Sequence, residues 1–412
     1  MIPRMATDLT ETPAPEPGAS GGPGPAVAPL PEQAILVHIG PHKTGTTTIQ
    51  AAFHASRDAL AAQGVVYAGG GRRPILAVLA LRGAHGRRTA VPELRHWSGL
   101  VDEARAATGR VVISNESFAD ASPRAIAKLV RDLGPERLHV VATLRPLASI
   151  LPSQWQQFVK GGLTAGFDEW LRGVIDPNDP ARRKVFWRRH QHHELVARWA
   201  EVVGPDRVTV IVLDEDPVRL PRLFEGLLGL RDGTLAEHAT MRNRSLTWPE
   251  TEAIRTINKA FRAAAYPPAL QTQLVARGIS RHLLRREPDR AEPRIDVPAW
   301  AVERVAMVGR EIVAGLLASR VRIIGDVDRL LTIPEPHPSR ASAPSRVSAD
   351  LAGAVSMAAV DTLSAMGKRP PPIEPGEFDG IPSARLAGVL VHRLLGIPRM
   401  TWRSIRGSTG AS

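Results

Sequence analysis

Lys43 sits inside a polar loop, Gly40-Pro41-His42-Lys43-Thr44-Gly45-Thr46-Thr47-Thr48, bracketed by two glycines and closing in hydroxyl residues. Residues of these types at this spacing hold an anion. Glycines admit the turns that let backbone N–H groups converge, a following helix adds the positive end of its dipole, and the ammonium adds a point charge. Two other chemically equipped positions lie far along the chain: the carboxylate of Glu116 in Ser114-Asn115-Glu116-Ser117, and the guanidinium of Arg145 in Leu144-Arg145-Pro146.

The elements around them follow from hydrophobic patterning. Ala34 to Ile39 reads as a strand, and the segment after the loop carries Ile49, Ala52, Phe53 and Leu60 at helical spacing before Gly64 stops it. Val65-Val66-Tyr67 is a second strand, residues 73 to 108 are mostly helical, and Val111 to Ser114 is a strand that ends at Glu116. Ser122-Pro123 opens a helix with an N-cap serine and a first-turn proline, and Gly134-Pro135 closes it. Leu138 to Leu144 is a largely apolar run, as expected of a central parallel strand buried on both faces, and Arg145 follows its end. A helix through Lys160, another from Phe167 to Val174, a basic stretch from Arg182 to His193, a helix with Trp199 and a strand from Val208 to Leu213 complete the series. Strands that alternate with helices argue for a doubly wound α/β fold with a central parallel sheet between helical layers. Ligands of such sheets lie beyond the carboxyl ends of the strands, where Gly40 to Thr48, Glu116 and Arg145 all fall.

Composition sets the outer bounds. The 412 residues include 43% hydrophobic residues, enough for a substantial core, with a formal net charge of +12 and a pI near 10.9. An anionic partner is therefore expected, and charge alone does not choose among nucleotide, sulfated or phosphorylated sugar, nucleic acid and membrane surface. No interleaved basic and aromatic strand pattern points to nucleic acid. The chain has no cysteine, which removes disulfides, thiolate nucleophiles and Cys-ligated metal. No apolar run has the ~18 residues of a membrane span, and the first residues lack the apolar segment of a signal peptide, so a soluble, cytoplasmic protein is expected.

Three regions are expected: a disordered Pro/Gly/Ala-rich leader over 1–31, an α/β domain over 32–333, and a Pro/Ser-rich linker with a basic tail over 334–412. Within the tail, residues 347–366 can form an Ala-rich helix. Arg385 to Arg406 carries five arginines and no acid among leucines, a pattern able to lie on an anionic membrane surface or to pack on the domain.

The loop departs from the nucleotide-binding pattern G-x4-G-K-[ST]. The glycine bracket is kept, but Lys43 lies inside it and Thr46-Thr47 follows the second glycine. This displacement places the ammonium toward the bridging-oxygen side of a bound phosphate. Pro41-His42-Lys43-Thr44-Gly45-Thr46-Thr47 resembles the 5′-phosphosulfate loop of sulfotransferases that use 3′-phosphoadenylyl sulfate (PAPS). The second signature of that family, an arginine at a strand end and a serine eight residues on, is matched by Arg145 and Ser153. The resemblance spans residues 34 to 260 and is nearest to a bacterial branch that opens with His-Lys-Thr-Gly-Thr-Thr.

It implies a P-loop-containing nucleoside-triphosphate-hydrolase-like three-layer fold and PAPS as co-substrate, with no metal expected. Lys43, Thr44, Gly45, Thr46 and Thr47 would hold the 5′-phosphosulfate, and Arg145 with Ser153 the 3′-phosphate. Lys43 would also neutralise the leaving oxygen. The acceptor, a carbohydrate or lipid-linked group by expectation with a peptide or small metabolite also open, needs a base. Glu116 is the first candidate because it lies just beyond a parallel strand and faces the loop, and glycan and peptide sulfotransferases commonly use a glutamate; His42 competes for that role. The glycine- and lysine-rich segment that completes the 3′-phosphate site in cytosolic relatives has no counterpart here. Two alternatives stay open, a non-catalytic nucleotide-binding scaffold and an atypical P-loop kinase. His190, His192 and His193 match no metal-ligand spacing and read as a solvated basic helix face. Arg182, Arg183, Lys184, Arg188 and Arg189 read as a solvated charge run or as the rim of an anionic groove.

Overall fold

Alternate residues of a strand point to opposite faces, and here that alternation divides the core in two. Ile35, Val37 and Ile39 join one apolar cluster while Leu36 joins the other; Val111 and Ile113 are likewise separated from Val112. A computed structural model describes residues 27–85, 90–175, 186–214, 216, 219–235, 244–334 and 343–366. Its sheet has six strands, β1 (Ile35–Gly40), β2 (Val65–Tyr67), β3 (Arg110–Ser114), β4 (Leu138–Leu144), β5 (Val208–Val212) and β6 (Arg322–Ile324). They run in the order β2-β3-β1-β4-β5-β6, and every pairing is parallel. The expected parallel α/β sheet between helices is therefore present.

On one face lie α1 (Thr46–Ala55), with Ile49, Ala52 and Phe53 buried, and α2 (Arg57–Ala61) with Leu60. The other face is covered by α3 (Ile75–Arg82), α4 (Arg95–Ala106), α5 (Pro123–Leu133), α6 (Leu147–Lys160), α7 (Phe167–Ile175) and α8 (His192–Val203), whose apolar sides fill the larger cluster. Helix α9 (Arg219–Leu228) returns to the first face through Leu220, Phe224 and Leu227. Helix α10 (Trp248–Ala263) starts from a full capping box, Thr247 with Glu250.

The chain leaves β1 for β2, returns through β3, and crosses β1 to reach β4. Such a reversal opens a crevice at the carboxyl ends of the two strands that separate. Both β1 and β4 end there.

Two parts of the fold go beyond the sequence reading. β6 adds a strand to those read from the sequence; its three residues are too few to show a period. After α11 (Ala299–Ala318), helix α12 (Ala349–Ala365) packs on the π-helical stretch Thr272–Ile279, and its Leu351, Val355 and Leu363 belong to the main core cluster. At the other end, Leu30 is buried, its N–H bonding the Leu227 carbonyl and its carbonyl accepting from Arg110. Most of the expected leader, residues 1–26, and the basic stretch from Arg385 to Arg406 lie outside the described residues. Among the described residues no helix is long and apolar enough to cross a membrane.

Candidate functional site

The loop after β1 stands on a buried polar network. His38, fully buried, faces Ser114 Oγ through Nδ1 at 2.8 Å and Thr143 Oγ1 through Nε2 at 3.2 Å. Thr143 in turn donates to the Thr44 carbonyl at 2.9 Å, and the Thr44 hydroxyl donates to the Pro41 carbonyl at 2.6 Å. Burial lowers the His38 pKa to about 4, against a smaller opposing pull from Glu116, so the imidazole is neutral at pH 7. The Thr44 side chain therefore shapes the loop from beneath.

Above this network the loop turns through three left-handed residues, Gly40 (φ +79°), Lys43 (φ +71°) and Gly45 (φ +78°). Gly45 caps α1. A Cβ there would stand 2.8 Å from Leu220 Cδ2, the movable end of a side chain, so the left-handed φ is what favours glycine. Among the described residues no chain acceptor takes the backbone N–H of Lys43, Thr44, Gly45, Thr46 or Thr47. Left-handed turns that leave successive N–H groups free at a helix start form an anion-binding concavity.

Three cations surround it. Lys43 Nζ donates to Gln157 Oε1 at 3.3 Å, and Arg145 Nη1 donates to the Lys43 carbonyl at 3.3 Å. The third, Lys160, was not among the expected site residues. Burial, then the charges of Lys160 and Arg145, lower the Lys43 pKa to about 7; burial alone lowers Arg145 and Lys160. Among the described residues none of the three has a carboxylate partner, although eleven ion pairs form elsewhere. Half-buried cations without counter-ions are costly unless something anionic answers them.

Helix α6 explains how Lys160 arrives. Ser149, Ser153, Gln157 and Lys160 form a half-open stripe on a helix whose other residues, Phe158 apart, are buried. Gln157 touches Lys43, so the stripe faces the loop and Ser153 lies on that same face. No side-chain hydrogen bond links Ser153 to Arg145 among the described residues. The spacing of this polar stripe, i, i+4 and i+7 from Ser153, was the available signal for Gln157 and Lys160.

Glu116 begins a 3₁₀ turn, Glu116–Asp120, capped by Asn115. Its carboxylate accepts from Gln50 Nε2 at 3.2 Å and pairs with Arg73. Burial works against its charge, but Arg73, its own amide, His42 and Gln50 prevail and hold it below the usual carboxylate range. His42 stands beside it with Nε2 buried and, among the described residues, without a partner. Its pKa is lowered to about 4 by burial and Arg189, against Glu116 and Asp120, so it too is neutral at pH 7. The structure thus brings together the loop, Glu116 and Arg145, with Arg73, Gln50, Gln157 and Lys160 as additions.

The basic segment before α8 differs from expectation. His190 and His192 are 0% and 1% exposed, not a solvated face. The reason is aromatic packing, with the Phe186 ring 4.6 Å from His190 and His190 6.1 Å from His192. Arg189 is not free rim charge either. It grips both oxygens of Asp120 at 2.7 Å, and Arg188 donates to the Asp120 carbonyl. Arg182, Arg183 and Lys184 lie outside the described residues. Among the described residues no cluster of three or more His, Cys, Asp or Glu side chains is arranged to hold a metal.

Comparison with family models, curated proteins and solved structures returns no significant match. The geometry of the crevice therefore carries the functional reading.

Proposed function

We propose that this protein is a PAPS-dependent sulfotransferase acting on a hydroxyl or amine of a carbohydrate or lipid-linked acceptor. One observation carries the reading. Lys43, Arg145 and Lys160 converge on a loop of free N–H groups, with no carboxylate partner among the described residues to neutralise them. That is a site for a multiply charged anion, and the resemblance of residues 41–47, Arg145 and Ser153 to the two PAPS signatures selects which anion. The strand order, with the loop following a central strand, supports reading the fold as P-loop nucleoside-triphosphate-hydrolase-like.

PAPS supplies the sulfuryl group. Residues 43–47, with Lys160 beside Lys43, would hold its 5′-phosphosulfate, while Arg145 and Ser153 would take the 3′-phosphate. In transfer, the bond from sulfur to the acceptor oxygen or nitrogen forms as the bond from sulfur to the 5′-phosphate oxygen breaks, and that oxygen keeps the electron pair. Lys43 answers the charge developing on it, and Glu116 takes the acceptor proton. Such in-line transfer depends mostly on positioning and on stabilising the leaving group.

A thermal shift with adenosine 3′,5′-bisphosphate (PAP), set against ATP with magnesium, tests the reading. Stabilisation by PAP alone is expected. Stabilisation by ATP with magnesium alone would overturn it in favour of a kinase, and PAP binding without sulfate transfer from PAPS to any acceptor in a cell extract would favour a scaffold.

A further inference from the structure

Two arginine–carboxylate pairs flank the crevice, and they differ in a way that matters. Arg189 meets Asp120 with two hydrogen bonds, and Arg82 adds a second cation 3.6 Å away, which makes a saturated, half-buried pair. Arg73 meets only one oxygen of Glu116, its side chain is 43% exposed, and Glu116 is 14% exposed. A guanidinium has five donors arranged as a fork. Among the described residues the Arg73 side chain makes no other hydrogen bond.

The loop that presents Arg73 is firmly held. Arg57 donates to the carbonyls of Tyr67, Gly69 and Gly71, Tyr67 Oη donates to the Arg72 carbonyl at 2.7 Å, and the Gly69 N–H donates to Glu103 Oε2 at 2.9 Å. Arg72 reaches across to the Thr47 carbonyl at 2.7 Å, beside the free N–H groups of the anion loop. The backbone of residues 67–73 is thus fixed at the crevice mouth, and what can turn is the Arg73 side chain.

We propose that Arg73 selects the acceptor: it takes an anionic group carried by the acceptor, a carboxylate, sulfate ester or phosphate ester, and in turning to it releases Glu116 to accept the proton of the accepting hydroxyl. The inference rests on the sulfotransferase reading and adds the class of acceptor to it. Charge complementarity supports it, because a second anion entering beside the nucleotide finds Arg72 and Arg73 on the outer side of the crevice. Release is chemically useful. Burial favours the protonated form of Glu116 and the Arg73 charge opposes it, so moving that charge away makes the carboxylate a stronger base.

The test uses the full chain with ¹³C-labelled glutamate carboxyls, saturated with PAP, the Glu116 resonance being assigned by its loss in Glu116→Gln. Glucuronate, glucose 6-sulfate, glucose 6-phosphate and neutral glucose are titrated at constant ionic strength. Saturable movement of the Glu116 signal is expected with one or more of the anionic sugars and not with glucose, and which of them acts identifies the acceptor's group. In Arg73→Gln the response disappears and Glu116 titrates at higher pH, while Arg73→Lys restores part of the response. No movement with any of the anions, or the same movement in Arg73→Gln, overturns the proposal. PAP binding is measured on the same samples by calorimetry. Its absence overturns the sulfotransferase reading itself, whereas PAP binding with an unresponsive Glu116 overturns only the role of Arg73.

Discussion

A Cβ placed on Gly40 would stand 3.1 Å from both Cα and Cβ of Glu116. The end of β1 and the turn that follows β3 therefore approach closely where residue 40 has no side chain, and this contact sets the carboxylate against the loop. Gly40→Ala meets that contact and a left-handed φ of +79° together. A loss of ~1–3 kcal/mol in stability is expected from urea unfolding. Sulfate transfer should fall further than PAP affinity does, because the displacement lies on the Glu116 side of the loop.

Glu116→Gln keeps the shape and the Gln50 contact but cannot accept a proton. Calorimetry should give PAP affinity close to wild type, while transfer from PAPS drops by roughly 100- to 10,000-fold, the range of general-base catalysis. Normal turnover by this variant would remove Glu116 as the base and leave His42 as the remaining candidate.

The cations allow a sharper separation of binding from folding. Removing a cation that contacts a phosphate costs ~1.5–3 kcal/mol, or roughly 10- to 100-fold in affinity, and this is expected for Lys43→Ala, Arg145→Ala and Lys160→Ala toward PAP. A structural cation would lower the melting temperature when removed. These three have no carboxylate partner among the described residues, so their loss should leave the melting temperature of the ligand-free protein unchanged or raised. A fall in melting temperature with unchanged PAP affinity would show that they serve the fold.

Much of this crevice was legible because its parts are local. The glycine bracket, the strand endings at Asn115 and Leu144, and the apolar periods that place them are short-range signals. What was not legible depends on approach across the fold. Thr143 is a polar residue within the largely apolar β4, and it joins His38 to Thr44 through contacts that span about a hundred residues. Arg73 meets Glu116 across 43 positions. His190 and His192 are flanked by arginines, which suggested solvent, but Phe186 and the core decide their burial. Lys160 could have been found from the stripe it shares with Ser153 and Gln157.

The Lys43 pKa of about 7 gives nucleotide binding a pH dependence. In the free protein the ammonium begins to lose its proton above that value, whereas a bound phosphate would favour the charged form and raise the pKa. Binding then takes up a proton at pH above about 7, and PAP affinity should fall with rising pH there, by up to about tenfold per pH unit. Calorimetry at pH 6, 7.5 and 9 checks this. Lys43→Arg, which stays charged, should flatten the profile even if its affinity is lower.

The buried histidines predict the opposite slope for stability. Burial lowers His38 to about 4; burial and the neighbouring His193 lower His192 to about 3; burial, His192 and His42 lower His190 well below its ordinary 6.5. Each is neutral in the folded protein at pH 5, yet each takes a proton when the chain unfolds below pH 6.5. The unfolded state therefore binds more protons in that window, so stability is fully present above pH 6.5 and declines as pH falls toward 4. Each group contributes at most ~1.4 kcal/mol per pH unit, these three together at most ~4, and His42 and His139, which are also lowered to about 4, add to the same slope. Urea midpoints at pH 7, 6 and 5 should show the decline. His190→Phe preserves an aromatic ring against Phe186 and removes a titrating group whose two nitrogens have no partner among the described residues. It should reduce the slope by about one proton while leaving stability at pH 7 unchanged or higher. An unchanged slope in this variant would mean that His190 is already protonated in the fold, and that the segment before α8 is open to solvent.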